Sequence, residues 1–411
     1  MRARLAIVFL VGLPSAALAQ DSLKFTVVTA GGWHTCAITT AGAAYCWGYG
    51  RFGQLGNGDT GVQTAPVPVA TGLRFTTISA GRFHTCGLTT DSIAYCWGTN
   101  GWGQLGSQSA TSSCTNREGK KNEPFACSLR PRAVAGDRHF ATLSVNGLHA
   151  CATTGDHDAY CWGSNGAGEL GIGPGLALAQ TPTAVVGGLK FMSVAAGLNH
   201  SCGVTVDGLL YCWGWNKDNQ LATDTVKGSY SPLAIASDVK FVFVTAGGSH
   251  SCAIATDTTA YCWGDFEHGR LGIGESFAER LKGKSHQMRP TPVDEAIKYR
   301  SLSAGGVHTC GVATSGAAYC WGDNLEGRLG VGGNSFTRRS WNTKPSPPKG
   351  DLKFTMISAG DYHSCGVTTD GAVYCWGGNK EGQLGIGTTK GKNEPVRVGA
   401  TPAVAADSSR H

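Results

Sequence analysis

Histidine and cysteine residues recur together seven times along this chain. Each of seven histidines is followed two residues later by a cysteine, and ten residues after that by a second cysteine within Tyr-Cys-Trp-Gly. One histidine and two cysteines could bind zinc, could supply a catalytic base and nucleophile, or could leave the cysteines to form a disulfide. The histidines are His34, His84, His149, His200, His250, His308 and His363.

The spacing of the two cysteines favours a disulfide over a metal site. Between them, Thr40-Ala41-Gly42 has the composition of a three-residue hairpin loop with glycine in the left-handed position. This register places Cys36 directly opposite Cys46, where Cα atoms are ~4.5 Å apart and a disulfide can form. The predicted pairs are Cys36–Cys46, Cys86–Cys96, Cys151–Cys161, Cys202–Cys212, Cys252–Cys262, Cys310–Cys320 and Cys365–Cys375, which leaves Cys114 and Cys127 for each other.

Around these residues, one unit repeats with a period near 50. A phenylalanine, or Tyr299 in the sixth copy, stands nine residues before each histidine. In the first copy we predict four short strands, Phe25–Ala30, His34–Thr39, Ala43–Trp47 and Pro66–Val69. Seven four-stranded units with Gly-rich loops indicate an all-β fold, a seven-bladed β-propeller of four-stranded antiparallel blades.

The N-terminus has the pattern of a secretion signal. Arg2 and Arg4 precede an apolar run, Leu5–Leu13, which is too short to span a membrane, and Ala17-Leu18-Ala19 resembles a cleavage site. We therefore expect a signal peptide at 1–19, the propeller at 20–398 and a disordered tail at 399–411. Sixteen cysteines, an even number, fit a secreted or periplasmic protein with disulfides.

The repeat also resembles that of a known family. The residues that carry the resemblance are Gly-x-x-His-[Thr/Ser], Tyr-x-Trp-Gly and Gly-Gln-Leu-Gly, and they are similar to the repeat of the regulator of chromosome condensation family. The resemblance covers nearly all of the chain after the signal and implies a seven-bladed propeller. The cysteine pairs depart from most intracellular members, and exported bacterial proteins with this repeat are more similar.

The repeated residues are expected to be structural. The tryptophans of Trp-Gly should pack between blades, and the histidines should bond backbone and fix the turn before them. The sequence contains no phosphate-binding loop, nucleophile elbow or His-Glu-x-x-His motif. We therefore predict no enzymatic activity, no cofactor and no metal.

The second, fifth and sixth copies carry longer loops between the third and fourth strands. In an antiparallel meander, these loops share one face of the disc with the Gly-x-x-His turns. Against four acidic residues, Glu118, Glu123, Glu275 and Glu279, the insertions hold twelve basic ones: Arg117, Lys120, Lys121, Arg130, Arg280, Lys282, Lys284, Arg289, Arg338, Arg339, Lys344 and Lys349. Ordinary solvated loop residues are the alternative interpretation of this charge.

Aromatic residues are concentrated in one sector of that face. Trp33, Phe83 and Tyr362 each precede a repeat histidine in copies that become neighbours when the ring closes, and Phe52 and Trp102 add to the same sector. Together with Arg338, Arg339 and Trp341 of the sixth-copy insertion, they are the candidate binding residues. Partial burial under the insertions is the alternative to an exposed patch.

These patterns predict an exported, non-catalytic scaffold that binds a protein or glycan partner, acidic or mixed in charge, through loops on one propeller face. Loss of Arg2 and Arg4 with the signal lowers the net charge from +6 to +4, too little to imply nucleic acid. We expect no membrane insertion and a monomer.

The alternatives are a secreted enzyme inhibitor of the β-lactamase inhibitor protein II type and a propeller enzyme with a site in its central funnel. Ultraviolet sensing, another use within the family, would need a cluster of tryptophans from Gly-Trp-Arg-His-Thr copies of the repeat. Here only Trp33 approaches that pattern.

Overall fold

The structure of the protein is a computed structural model that describes residues 23–108, 112–115, 124–274, 286–333 and 340–399. The predicted signal peptide and nearly all of the predicted tail lie outside these residues. Gly399, the first residue of that predicted tail, donates its N–H to the carbonyl oxygen of Gly385 at 3.0 Å and so contacts the last blade.

Seven antiparallel sheets, each built from consecutive strands, confirm the predicted propeller. The innermost strands of blades 1 to 7 are Phe25–Ala30, Phe75–Ala80, Phe140–Asn146, Phe191–Ala196, Phe241–Ala246, Tyr299–Ala304 and Phe354–Ala359. The second strands are His34–Thr39, His84–Thr89, His149–Thr154, His200–Thr205, His250–Ala255, His308–Ala313 and His363–Thr368.

The third and outermost strands complete each blade. The third strands are Ala44–Gly48, Ala94–Thr99, Ala159–Ser164, Leu210–Trp215, Ala260–Asp265, Ala318–Asp323 and Val373–Gly377. The outermost strands are Gln63–Pro68, Pro124–Ala133, Leu178–Ala184, Gly228–Ala234, His286–Pro292, Trp341–Ser346 and Lys392–Arg397. Blade 2 has a fifth strand, Ser112–Thr115, and the described residues include two single 3₁₀ turns, Glu267–Gly269 and Leu325–Gly327.

The innermost strands contact one another around a central channel, and blade 7 contacts blade 1 as the other neighbours contact each other. The four strands of each blade follow one another in sequence, including those of blades 1 and 7. The sequence left open whether the termini share a strand to close the ring. They do not, so the contacts between complete blades must close it.

The hairpin register is the predicted one. Cys36 pairs with Cys46 and His34 with Gly48, and Gly42 turns the hairpin with a φ of 80°. The seven repeat disulfides form between directly opposed cysteines, with Cα atoms 4.0–4.1 Å apart. Cys114 bonds Cys127, and all sixteen cysteines of the chain are thus paired.

The outermost strand begins earlier than predicted. In blade 1 it starts at Gln63, because Gln63 pairs with Gly48 beyond an irregularity that follows Cys46. The prediction began the strand at Pro66, which has no N–H to donate, and so missed the three residues before it. The third strand is likewise displaced by one residue, from the predicted Ala43–Trp47 to Ala44–Gly48.

The tryptophans pack between blades, as predicted. Trp97 of blade 2 is fully buried in a cluster with Ile38 and Leu55 of blade 1. It also contacts Gly56, whose φ is 66° and where a Cβ atom would lie 2.7 Å from the indole Nε1. Since each tryptophan fills the seam before its own blade, the hydrophobic core consists of seven clusters between neighbours.

Backbone contacts confirm the two faces inferred from strand parity. The N–H of Tyr49, at the start of the loop between the third and outermost strands, donates to the carbonyl of Trp33 in the Gly-x-x-His turn at 2.9 Å. At the other end of the sheet, the N–H of Phe25 donates to the carbonyl of Gly371 in a hairpin turn. We call the first of these the turn face and the second the hairpin face.

We expect non-reducing peptide mapping to recover eight disulfides, seven of them joining cysteines ten residues apart. The reason is the register, which holds each pair of Cα atoms at about 4.1 Å within one hairpin. Bonds between different blades, or free thiols in the unreduced protein, would contradict the register.

Candidate functional site

Six of the seven repeat histidines join neighbouring blades through a side-chain hydroxyl, and the prediction that they bond backbone was wrong. The Nε2 of His34 lies 2.8 Å from the hydroxyl oxygen of Thr85, which directly follows the histidine of blade 2. Equivalent contacts of 2.7–2.8 Å join His149 to Ser201, His200 to Ser251, His250 to Thr309, His308 to Ser364 and His363 to Thr35. We call this contact the histidine latch.

The hydroxyl in each latch also fixes the proton on the histidine. Thr85 donates its hydroxyl hydrogen to the carbonyl of Gln54 in blade 1 at 2.9 Å, so it can only accept from His34. His34 therefore carries its proton on Nε2. The same carbonyl accepts the indole N–H of Trp97 at 2.9 Å, so one carbonyl of blade 1 binds two groups of blade 2.

Burial keeps the latch histidines neutral. Desolvation, with a smaller contribution from the charge of His363, lowers the pKa of His34 from 6.5 to about 3. Burial likewise lowers the pKa of His84, His149, His200 and His363 to about 3 and holds those of His250 and His308 well below 6.5. These histidines bind no proton near neutral pH, and those in a latch face only a hydroxyl of the next blade. Both properties support a structural role for them rather than a catalytic one.

Rings of the predicted aromatic sector contact one another on the turn face in a continuous row, by stacked and edge-on contacts. Trp33 lies between Tyr362 and Phe83, with ring centroids 5.4 and 5.2 Å away and interplanar angles of 27° and 21°. Phe52 meets Phe83 at 4.9 Å, and Phe125 of the blade 2 insertion meets Phe52 at 5.2 Å. We call these five half-buried rings the aromatic ladder. It crosses blades 7, 1 and 2.

Arg82 and Asp361 bridge the ladder from the inner side. The guanidinium of Arg82 lies 5.2 Å from the ring centroid of Trp33 and 5.7 Å from that of Phe83. Its Nε is 3.9 Å from a carboxylate oxygen of Asp361, so blades 2 and 7 meet across blade 1. Gly32 lies beneath this bridge, where a Cβ atom would come within 3.2 Å of the Arg82 side chain.

The other candidate binding residues are not part of the ladder. Trp102 is 49% exposed, and no ring of the described residues contacts it. Trp341 is equally exposed and meets the edge of His268, 5.5 Å between centroids, in blades 5 and 6. Arg338 and Arg339 lie outside the described residues, as do Lys120, Lys121 and four of the other eight insertion cations.

Arg82, Asp361 and Phe125 were not predicted. A signal for the first two is present in the sequence, because both occupy the position two before the histidine, where blades 1, 3, 5 and 6 have glycine. Phe125 lies in an insertion whose path the repeat does not determine. Tyr49, 5.6 Å from Phe52, was also missed.

Within the described part of the chain, no group of three histidine, cysteine, aspartate or glutamate residues could hold a metal ion. The helices of the described residues are single turns, and none could cross a membrane.

Family comparisons agree with this architecture. The profile of the RCC1-like domain matches residues 12–301, more than half of the chain. The chain belongs to the regulator of chromosome condensation (RCC1) family. Profiles of the RCC1 repeat also match residues 299–328, 355–383, 315–367 and 370–407 of this RCC1 protein.

Individual relatives extend the similarity across the chain. The ultraviolet-B receptor UVR8 of Arabidopsis thaliana is 27% identical over 393 residues, which cover 94% of this RCC1 protein and 72% of the receptor. The human E3 ubiquitin-protein ligase HERC2 is 28% identical over 264 residues, 63% of this chain but only 5% of the ligase. The crystal structure of Prp20p from Saccharomyces cerevisiae has a TM-score of 0.73 at 19% identity, covering 93% of this chain and 89% of Prp20p. That likeness shows the fold.

The neutral histidines predict that this RCC1 protein loses stability below pH 6.5. Because their folded pKa values are depressed, the unfolded chain takes up protons that the folded chain excludes. The contribution of each histidine to the free energy of unfolding is complete above pH 6.5. It declines by up to about 1.4 kcal/mol per pH unit as the pH falls toward 3. Tryptophan fluorescence in guanidinium should show a lower unfolding midpoint at pH 5 than at pH 7.5.

Two buried carboxyls oppose this trend. Burial raises the pKa values of Asp361 and Asp265, so their contributions to the free energy of unfolding grow as the pH falls. Because seven histidines outnumber these two carboxyls, a midpoint that stays constant or rises between pH 7.5 and 5 would mean that the histidines are not held neutral.

Proposed function

We propose that this RCC1 protein is an exported, non-catalytic scaffold that binds a protein partner through the aromatic ladder and Arg82 beside it. The observation that carries the proposal is the row of five half-buried rings in mutual contact on the turn face, with Arg82 against Trp33 and Phe83.

The ladder has the properties of a binding hot spot. Aromatic and arginine side chains dominate the binding energy of many protein interfaces. Here each ring is already held by its neighbours, so binding would order few additional side-chain torsions. Among the described residues, neither the indole N–H of Trp33 nor the hydroxyl of Tyr362 has a hydrogen-bond partner. Both donors remain available to a partner.

The geometry favours carboxylates on the partner. The broad faces of Trp33 are covered by Phe83 and Tyr362, so the ring edges, which carry partial positive charge, point outward. The side chain of Arg82 is 38% exposed, whereas Arg328, near Tyr362, is buried and paired with Asp323. Outward ring edges, N–H donors and the guanidinium of Arg82 together suit an acidic segment of a protein.

Three features support export without catalysis. Eight disulfides fit an oxidising compartment, and the first nineteen residues have the pattern of a signal peptide. The repeat histidines are buried and neutral rather than exposed beside a nucleophile. Prp20p, which shares this fold, is described by its binding to Gsp1p and histones, and a scaffold function for this chain follows the same use of the fold.

Replacing Trp33 with Ala should weaken binding of the partner by about thirtyfold, the effect of a hot spot worth about 2 kcal/mol. Tyr362→Phe, which keeps the ring stack and removes the hydroxyl, should have a smaller effect. The partner would be identified by affinity capture with the mature protein and mass spectrometry, and its affinity for each variant would then be measured by calorimetry.

Two matched controls isolate the ladder. Trp215→Ala removes a 43% exposed tryptophan of blade 4, and Asp207→Asn changes the hairpin face, so both should retain full affinity. Melting curves would verify that each variant is folded. Equal loss with Trp33→Ala and Trp215→Ala would disprove the assignment, as would glycan-array binding without a protein ligand. Hydrolysis of a peptide or polysaccharide panel would disprove the non-catalytic function.

A further inference from the structure

Five hydrogen bonds can join a blade to the next one. The first is the histidine latch, and two more end on one carbonyl of the preceding blade, which accepts from the latch hydroxyl and from the tryptophan indole. The fourth is a backbone bond between successive Gly-x-x-His turns. The fifth runs from an inner-strand N–H to a hydroxyl of the preceding blade. The junction between blades 7 and 1 has all five, formed by His363–Thr35, Thr35–Gln383, Trp47–Gln383, Asp361–Gly31 and Ala30–Ser358.

The junction between blades 2 and 3 has only two of the five among the described residues. Ala150 stands where the other six blades have serine or threonine, so the latch and its hydroxyl-to-carbonyl bond are both missing. Asn146 replaces a glycine of the turn, and no backbone bond joins it to Arg82. What remains is the bond from Trp162 to Gln104, at 3.2 Å, and the bond from Val145 to Ser79.

His84 shows the consequence directly. It is fully buried like the six latch histidines, yet neither of its ring nitrogens has a hydrogen-bond partner among the described residues. A buried polar group without a partner destabilises the packed state, because that group would be hydrated once the junction opened. The histidine that stabilises every other junction therefore favours separation at this one.

The remaining junctions are complete or lack one bond each. Those between blades 6 and 7 and between blades 1 and 2 have all five, as the junction between blades 7 and 1 does. Blades 3 and 4 lack the turn bond, blades 4 and 5 lack the inner-strand bond because Ala195 has no hydroxyl, and blades 5 and 6 lack the indole bond of Trp321. The three complete junctions are consecutive, and the aromatic ladder crosses two of them, those between blades 7 and 1 and between blades 1 and 2.

We propose that the propeller has a built-in opening point between blades 2 and 3, and that the ring opens there rather than where the two ends of the chain meet. Opening at this junction leaves blades 6, 7, 1 and 2 joined as a rigid arc. The surface of the aromatic ladder would then stay intact while the rest of the ring moves. The inference rests on the junction contacts and does not depend on the proposed partner.

The indole N–H groups supply one reporter for nearly every junction. Trp162 reports on blades 2 and 3, Trp47 on blades 7 and 1, and Trp213 on blades 3 and 4, because each donates to the preceding blade. Trp321, which lacks that bond, is not a reporter. We would measure native-state hydrogen exchange of these indoles by NMR in the full mature protein. Trp162 should exchange about ten times faster than Trp47 or Trp213.

One substitution should repair the weak junction, and a second should weaken a different junction in the same way. Ala150→Ser supplies the missing hydroxyl in a position that holds serine or threonine in every other blade, and should slow exchange at Trp162 about tenfold. Ser201→Ala creates the same defect between blades 3 and 4 and should accelerate exchange at Trp213. In the double variant, the faster of these two indoles should change from Trp162 to Trp213.

The outcomes separate this inference from its alternatives. Fastest exchange at Trp47 would place the opening at the chain ends and overturn the proposal. Exchange at Trp162 that does not respond to Ala150→Ser would also overturn it, since the missing hydroxyl would then not be the cause. Partner affinity is not used in this experiment, so failure of the proposed function leaves the result interpretable.

Discussion

The fold depends on one buried hydroxyl at six of the seven seams between blades. It accepts a hydrogen bond from the histidine of one blade and donates one to a carbonyl of that same blade, which also accepts the tryptophan of the next blade. Three conditions must hold together: the histidine is neutral, its proton is on Nε2, and the loop that supplies the carbonyl is in place. The repeat motif conserves its spacing along the chain because it contains all the parts of this contact.

The blades could be predicted from the sequence because their determinants are local. A three-residue loop at 40–42 is enough to oppose Cys36 and Cys46, and the pattern repeats seven times. The latch could not be predicted in the same way. His34 and Thr85 are 51 residues apart, and their contact depends on how two sheets stack. Viewed in sequence, each histidine is nearest to its own turn, which is why the wrong partner was predicted.

The candidate site was predicted in part. Closure of the ring is sufficient to make Trp33, Phe83 and Tyr362 neighbours, and they do stack. The bridge between Arg82 and Asp361 was missed, since it spans two seams and passes over a glycine of the blade between them. Trp102 and Trp341 were grouped with the ladder by residue type, yet both are exposed and neither contacts a ring of the ladder among the described residues. The insertions were singled out in the sequence for their basic residues, yet the residue that they contribute to the ladder is the aromatic Phe125.

Each disulfide of the repeat lies inside one blade, and so does each set of four strands. Seven covalently braced units are therefore held in a ring by non-covalent contacts, as the subunits of a cyclic heptamer are, with the connecting segments serving as tethers. Leu23 and Val398 pack against the same cluster between blades 7 and 1, so the first and last described segments of the propeller lie side by side. A circularly permuted chain that joins these ends and begins in any other blade connector would lose no strand pairing and no disulfide. The contacts that close the ring therefore do not require the propeller to begin in blade 1 and end in blade 7.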